Sequence, residues 1–98
     1  SSSSVGAMVS RTKDIAMVDG DLELALDGLC KLTYISKASS LISGDLIETS
    51  GLGGIYPKGL LIGKIREVRP ETKGISQYAI IEPAVDFERI SEVFIIKQ

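Results

Sequence analysis

Hydrophobic residues occur along this chain in short runs separated by polar and glycine-containing segments, which is the pattern of β-strands joined by turns. Isoleucine is the most abundant residue, at thirteen, and six valines add to the β-branched side chains that favour a pleated sheet. Glycine and Asp-Gly steps recur roughly every 8–15 residues, a spacing typical of barrels and sandwiches. We therefore predict an all-β fold: one small, mostly antiparallel barrel or sandwich of about six or seven strands. It would span residues 5–98, after a disordered N-terminal end at residues 1–4.

Alternation and turn residues place the individual strands. Ile65 and Val68 cannot both face the core on a strict period of two, so we expect a β-bulge or strong twist near Glu67. Pro83 is expected to end a strand or to lie at a sheet edge. Residues 86–91 suit a single helical turn. The predicted strands are 5–11, 15–18, 46–49, 61–68, 75–82 and 92–97.

A further hairpin is predicted in the first half of the chain. Three leucines alternate with other residues over 22–26, and the Asp27-Gly28 step that follows favours a tight turn. The chain would then return as a strand over 29–35. Three residues of that strand would share one face: Cys30, Leu32 and Tyr34. On that face the cysteine is expected to act as a small buried hydrophobe.

Composition excludes several classes of function. Eleven Lys and Arg against thirteen Asp and Glu give a net charge of −2, whereas nucleic-acid binders normally carry a basic patch. The chain has no histidine and one cysteine, so a His-based triad, a His-ligated metal and an internal disulfide are excluded. Its apolar runs fall far short of the ~20 residues of a membrane helix. We expect no catalytic residue, no cofactor and no metal.

Six of the ten glycines lie between Gly44 and Gly63, the most unusual stretch of the chain. It is not a dinucleotide fingerprint, because Tyr56 stands where the third glycine would be. It is not a Walker loop, because Ile65 replaces the hydroxyl residue that follows the lysine. We interpret it as a structural turn with Tyr56 and Lys58 displayed at its tip. The expected turn residues are Gly51, Gly53, Gly54, Pro57, Gly59 and Gly63.

Three blocks of this sequence, in order, resemble one family. They are the run over 49–65 (TSGLGGIYPKGLLIGKI), the upstream pair 8–12 and 19–21, and the C-terminal segment 82–96. Together they closely resemble the signature of MreC, the bacterial rod shape-determining proteins.

The resemblance implies a β-rich region outside the membrane, built of two small barrels after a membrane helix and a coiled coil. This chain would then be the excised C-terminal part of a longer protein, on the extracytoplasmic face of the cell membrane, with its membrane helix absent. The family implies a scaffold of the cell-elongation machinery. Its partners are a class B penicillin-binding transpeptidase, MreD, RodZ and the MreB cytoskeleton, and its members self-associate.

Two functions follow as hypotheses. The first is a non-catalytic interaction domain whose partner-binding candidates are Tyr56, Lys58, Phe94 and Ile96, since an apolar face or a free strand edge can dock another protein. The alternative is a barrel that binds a cell-wall glycan or peptide, although three Tyr, two Phe and no Trp leave few rings to stack on sugars.

Overall fold

The structure is a computed structural model that describes residues 4–36, 38–71 and 76–85. Within these ranges the chain forms six strands and one short helix. In chain order they are β1 Val5–Val9, β2 Ile15–Asp19, α1 Leu22–Leu26, β3 Cys30–Ser36, β4 Leu46–Thr49, β5 Leu61–Pro70 and β6 Ser76–Pro83.

The six strands close into a barrel in the order β1-β2-β3-β6-β5-β4, and β4 pairs back onto β1. Every neighbouring pair is antiparallel. The predicted all-β antiparallel barrel is thus confirmed, with six strands. Because each described strand is paired on both sides, none of them leaves a free edge that a partner could extend.

The inward faces of the strands fill the barrel with β-branched and aliphatic side chains. Leu32, Ile47 and Ile65, from three different strands, are at most 1% exposed. Two loop residues join the same core from opposite ends of the barrel: Leu41, before β4, and Tyr56, between β4 and β5. The core therefore depends on connecting segments as well as on strands.

The predicted bulge in β5 is confirmed. The β5–β6 register shifts between Ile65 and Glu67, so that Arg66 is the extra residue of β5. This shift lets Ile65 stay buried while Val68 also packs against the core. The β4 strand has its predicted bounds, and β6 ends at Pro83 as predicted.

The predicted strand over 22–26 is wrong, because these residues form helix α1. The Asp21 carboxylate caps the helix by accepting the N–H of Leu24 at 3.0 Å. Gly28, at φ 72°, ends the helix: its N–H and that of the next residue donate to carbonyls of the last turn, which is a Schellman motif. Asp27-Gly28 is therefore a helix end, not a hairpin turn. The capping signals at both ends of residues 22–26 outweigh the two-residue alternation of the leucines between them.

The prediction that Tyr34 faces inward with Cys30 and Leu32 is also wrong. The β3–β6 register shifts between Leu32 and Ile35, so β3 carries an extra residue. Ile35 takes the inward position at 2% exposure, whereas Tyr34 is 81% exposed. The bulge reverses the alternation that the sequence suggests.

Several predictions fall outside the described residues: Ser1 to Ser3 of the N-terminal end, the helical turn over 86–91, the strand over 92–97 and, within that strand, Phe94 and Ile96. Ser4, the remaining residue of the N-terminal end, is described. Its hydroxyl donates a hydrogen bond to the carboxylate of Asp19.

Candidate functional site

One end of the barrel carries most of the features that the sequence analysis singled out. The strands β1, β3 and β5 begin there, and β2, β4 and β6 end there. The connection between β4 and β5 crosses this end and contains the glycine-rich sequence. We call residues 50–60 the glycine loop, and this end of the barrel the loop end.

Thr49, the last residue of β4, anchors the glycine loop. Its side chain is fully buried, and its hydroxyl donates to the carbonyl of Pro57 at 2.6 Å and accepts the N–H of Leu60 at 2.8 Å. Its backbone N–H donates to the Leu60 carbonyl at 2.8 Å, and its carbonyl accepts the N–H of Gly59 at 2.9 Å. One threonine therefore holds the returning half of the loop through four hydrogen bonds.

The glycines of this region are of two kinds. Gly53 has φ 89° and nothing within 4 Å of where a β-carbon would stand, so the backbone conformation alone favours glycine there. Gly63 lies within β5, where it pairs with Pro83 of β6 and is buried. The other left-handed glycines of the loop are Gly51 (φ 82°), Gly54 (φ 73°) and Gly59 (φ 95°).

The expectation that Tyr56 and Lys58 are both displayed at the loop tip is wrong for Tyr56. Its side chain is 9% exposed and belongs to the core cluster, and this burial raises the pKa of its hydroxyl above the ordinary 10.0. The physical reason is that the loop folds back over the barrel, and a ring of this size gains more by closing the core than by facing water. Lys58 is exposed.

A pocket of about 140 Å³ opens beside Tyr56 at the loop end. An apolar cavity of about 150 Å³ accommodates a benzene-sized group, so this pocket suits one aliphatic or aromatic side chain. Its lining comes from the residue before β1, from β1 and β2, and from the glycine loop: Ser4, Val5, Gly6, Met17, Gly51, Leu52, Gly53, Ile55 and Tyr56.

The same end of the barrel exposes large hydrophobic side chains. On α1, Leu22 and Leu26 are 90% and 88% exposed and lie one helical turn apart, on the same face. We call the exposed hydrophobic residues of elements at this end the apolar end: Leu22, Leu26, Leu52, Ile55, Leu61 and Val85. Exposed hydrophobic side chains mark a contact with another macromolecule when they form one contiguous patch.

The exposure of the two leucines of α1 was not predicted, because their alternation suggested a half-buried strand. A signal was present: Leu22 and Leu26 have the i, i+4 spacing of a helix face, with a capping Asp21 before them and Gly28 after them.

The opposite end of the barrel is held by an ion pair. The Arg11 guanidinium donates two hydrogen bonds to the carboxylate of Asp45, at 2.8 and 2.9 Å, and a third to the Ser40 carbonyl at 2.7 Å. Asp45 also accepts the N–H of Ile42 at 3.0 Å. The hydrogen bond from Arg11 is the largest cause that holds the pKa of Asp45 below its ordinary 3.8. The pair ties the β1–β2 turn to the β3–β4 loop.

Over the described ranges, no cluster of three or more His, Cys, Asp or Glu side chains is placed to hold a metal ion. No helix in the same part of the chain has the length and hydrophobicity to cross a bilayer. Cys30 is half-buried in β3, where its thiol lies 3.9 Å from the carbonyl oxygen of Ile81.

Comparison with known proteins identifies the family. The model of the family "Rod shape-determining protein MreC, barrel core" matches residues 1–97. The chain belongs to the MreC family. The cell shape-determining protein MreC of Geobacillus stearothermophilus is 34% identical over 70 residues, which are 69% of this chain and 24% of that protein. The chain spans about a quarter of the length of the curated relatives it matches.

Solved MreC structures share the fold. MreC of Listeria monocytogenes superposes with a TM-score of 0.70 at 32% identity, over 87% of this chain and 40% of that one. A complex between the penicillin-binding protein PBP2 and MreC of Helicobacter pylori contains a similar chain, with a TM-score of 0.69 at 17% identity, over 83% of this chain and 48% of that one. The MreC barrel thus keeps its architecture at low sequence identity.

Proposed function

We propose that this chain is a non-catalytic binding domain of an MreC protein that controls cell shape by binding a penicillin-binding transpeptidase of the cell-elongation machinery. The observation that carries the proposal is the solved complex of Helicobacter pylori MreC with PBP2, whose MreC chain has the same fold. The absence of histidine from the chain agrees with a role in binding rather than catalysis.

The loop end supports this proposal physically. Its exposed leucines can transfer from water into an interface, and burial of a leucine side chain contributes about 1.5–3 kcal/mol. The pocket beside Tyr56 offers a place for one apolar anchor of the partner. Exposed Lys58 can supply a charged contact next to it. Phe94 and Ile96 remain candidates from the sequence alone.

The proposal includes the setting of the domain. Residues 5–98 would form a single barrel domain within a longer, membrane-anchored protein, on the extracytoplasmic face of the membrane. Self-association, and links to MreD, RodZ and the MreB cytoskeleton, would be made by the full-length protein. The length of the curated relatives, about four times the matched stretch, supports a domain that works as part of a larger protein.

A glycan-binding barrel receives less support. A sugar site needs stacked rings and converging polar groups, but the pocket beside Tyr56 is lined mainly by glycine and aliphatic residues, and Ser4 supplies the one hydroxyl besides that of the tyrosine. An apolar side chain fits such a pocket better than a sugar ring does.

The test is a binding measurement between the purified chain and the extracytoplasmic part of the elongation transpeptidase from the same organism. We expect saturable binding by calorimetry. Lys58→Glu should weaken it, whereas the matched control Lys13→Glu, at the opposite end of the barrel, should not. The proposal fails if the wild-type chain does not bind, and the contact assigned to Lys58 fails if both variants behave alike.

A further inference from the structure

Helix α1 carries an apolar row and an acidic row side by side. Leu22 and Leu26 are 90% and 88% exposed and have the i, i+4 spacing of neighbours on a helix. Glu23 and Asp27, the residue that ends the helix, have the same spacing one position further along, and both are exposed. One residue turns a helix by about 100°, so the two rows are adjacent. We call these four residues the α1 surface.

The barrel makes little use of the α1 surface. No residue of α1 is buried, so the helix lies on the outside of the barrel. The signals that form the helix, the Asp21 cap and the left-handed Gly28, do not depend on its leucines. Two large apolar side chains that stand together in water gain free energy when another apolar surface covers them.

The charge around α1 is acidic, and no nearby cation balances it. Residues 15–30 contain no lysine or arginine and four carboxylates: Asp19, Asp21, Glu23 and Asp27. Lys31, the first cation after them, stands opposite Asp19 in the β2–β3 register, so these two charges offset each other. Three carboxylates in and beside the helix are then left without a compensating charge.

The acidic row has no ion partner in the part of the chain that the structure describes. Both ion pairs found there lie on other elements. Glu23 and Asp27 are therefore like charges one helical turn apart, an arrangement that weakens a helix. Asp27 also stands at the C-terminal end of the helix, where the dipole favours a cation. A positively charged partner would relieve both effects.

We infer that the α1 surface is a docking site for a basic amphipathic segment of another protein. An apolar row of that segment would cover the two leucines, and its lysine or arginine side chains would meet the two carboxylates. The inference rests on the proposed function in treating the loop end as a binding surface, and it adds the charge and the pattern of the segment that binds there.

The same charges disfavour the other occupants of an exposed apolar surface. A second copy of the chain, related by a twofold axis through the α1 surface, would bring like carboxylates together. An anionic lipid surface and the phosphates of a nucleic acid would be repelled as well. A basic protein segment satisfies the apolar row and the acidic row at once.

The probe is a synthetic peptide of about 15 leucine and lysine residues, with the leucines at helical spacing, titrated into the full chain by calorimetry. We expect saturable binding that weakens as salt rises. Leu22→Ser/Leu26→Ser should raise the dissociation constant about tenfold or more by removing the apolar contact. Glu23→Gln/Asp27→Asn should raise it about fivefold and flatten the salt dependence. A peptide with glutamate in place of each lysine should not bind.

Asp14→Asn/Glu67→Gln is the matched control. It removes the same charge, from the turn at the opposite end of the barrel and from β5, and should keep the wild-type affinity. Circular dichroism should show wild-type melting temperatures for all these variants, since none replaces a buried residue. The inference is overturned if the lysine peptide does not bind, if the glutamate peptide binds as well, or if the control loses as much affinity as Glu23→Gln/Asp27→Asn.

Two further measurements distinguish the other occupants. Vesicles of phosphatidylglycerol should not retain the wild-type chain in flotation, and sedimentation should show no dimer that Leu22→Ser/Leu26→Ser dissociates. Either result would reassign the α1 surface, to lipid or to a second copy, and overturn the inference. Failure of the peptide to bind leaves the measured affinity for the transpeptidase, and with it the proposed function, unaffected. If the transpeptidase does not bind but the peptide does, only the proposed function fails.

Discussion

Gly63 of β5 and Glu82 of β6 approach so closely that a β-carbon on Gly63 would come nearer to the Glu82 carbonyl oxygen than the 3.0 Å that real β-carbons keep. The same β-carbon would stand 2.9 Å from the α-carbon of Pro83. Both neighbours are backbone atoms and cannot swing aside. The seam between β5 and β6 therefore depends on a residue without a side chain.

Replacing Gly63 by alanine should accordingly destabilise the barrel by about 3 kcal/mol or more, because β5 and β6 must move apart to make room for the methyl group. Gly53→Ala is the matched control. This variant should lose only about 1–2 kcal/mol of stability, the cost of holding an alanine in a left-handed backbone conformation. No atom lies within 4 Å of the new methyl group, so no steric clash adds to that cost. Thermal unfolding of the two variants, followed by circular dichroism, measures the difference. Equal losses of stability would show that the strands accommodate a methyl group between them.

Thr49 should be sensitive to loss of its hydroxyl. Thr49→Val keeps the shape but leaves the Pro57 carbonyl and the Leu60 N–H without their hydroxyl partner, at a cost of about 1–3 kcal/mol. Thr49→Ser keeps the hydroxyl and should lose less, although it loses a buried methyl group. Urea unfolding distinguishes the two. A larger loss in the serine variant would assign the role of Thr49 to packing.

Asp45 makes the stability of the barrel depend on pH in the acid range. Its pKa is lowered in the folded state, chiefly by the hydrogen bond from Arg11, so its contribution is present above the ordinary value of 3.8 and is lost as pH falls through the folded value. Asp45→Asn should cost about 1–3 kcal/mol near neutral pH and should flatten the stability profile below about pH 4.

Glu67 is the matched control for that profile. Its pKa is also lowered, chiefly by its hydrogen bond with Arg69, but both side chains are about half exposed. Exposed pairs contribute little and are screened by salt, so Glu67→Gln should leave the unfolding profile near that of wild type. If Glu67→Gln flattens the acid limb as much as Asp45→Asn does, burial is not what distinguishes the two pairs.

The leucines of α1 should matter for association but not for folding. Leu22→Ser together with Leu26→Ser changes two residues that are about nine-tenths exposed, so the melting temperature should change by no more than a few degrees. If the apolar end is an interface, sedimentation or calorimetry should show weaker association with the transpeptidase or with a second copy. A large loss of stability instead would show that the helix face is covered within the domain.

Much of the barrel could be predicted from the sequence because strand pattern and turn chemistry agree. The β4 strand and the β5 bulge follow from the alternation of hydrophobic residues. Ile65 and Val68 both pack against the core, and a regular strand cannot direct two side chains three residues apart to the same face. Helix α1 was missed because its five residues satisfy a period of two as well as one helical turn. The capping by Asp21 and the helix-ending Gly28 decide between them.

The surface was harder to predict than the core. Tyr34 and Tyr56 exchange their expected positions: the strand residue is exposed and the loop residue is buried. Both depend on long-range geometry, the first on a bulge against β6 and the second on a loop that folds back over the barrel. Neither can be deduced from neighbours along the chain. The sequence identified the glycine loop as a turn, but it did not show that the loop folds back over the barrel.

The described chain enters the barrel at Ser4 and leaves it at Val85, and both residues lie at the loop end. Tension transmitted through the flanking polypeptide would pull on β1 and β6 from that one side. The hydrogen bonds between neighbouring strands would then break one after another, starting at the loop end, instead of all bearing the load at once. Such tension would reach the Arg11–Asp45 ion pair last, because that pair lies at the opposite end of the barrel.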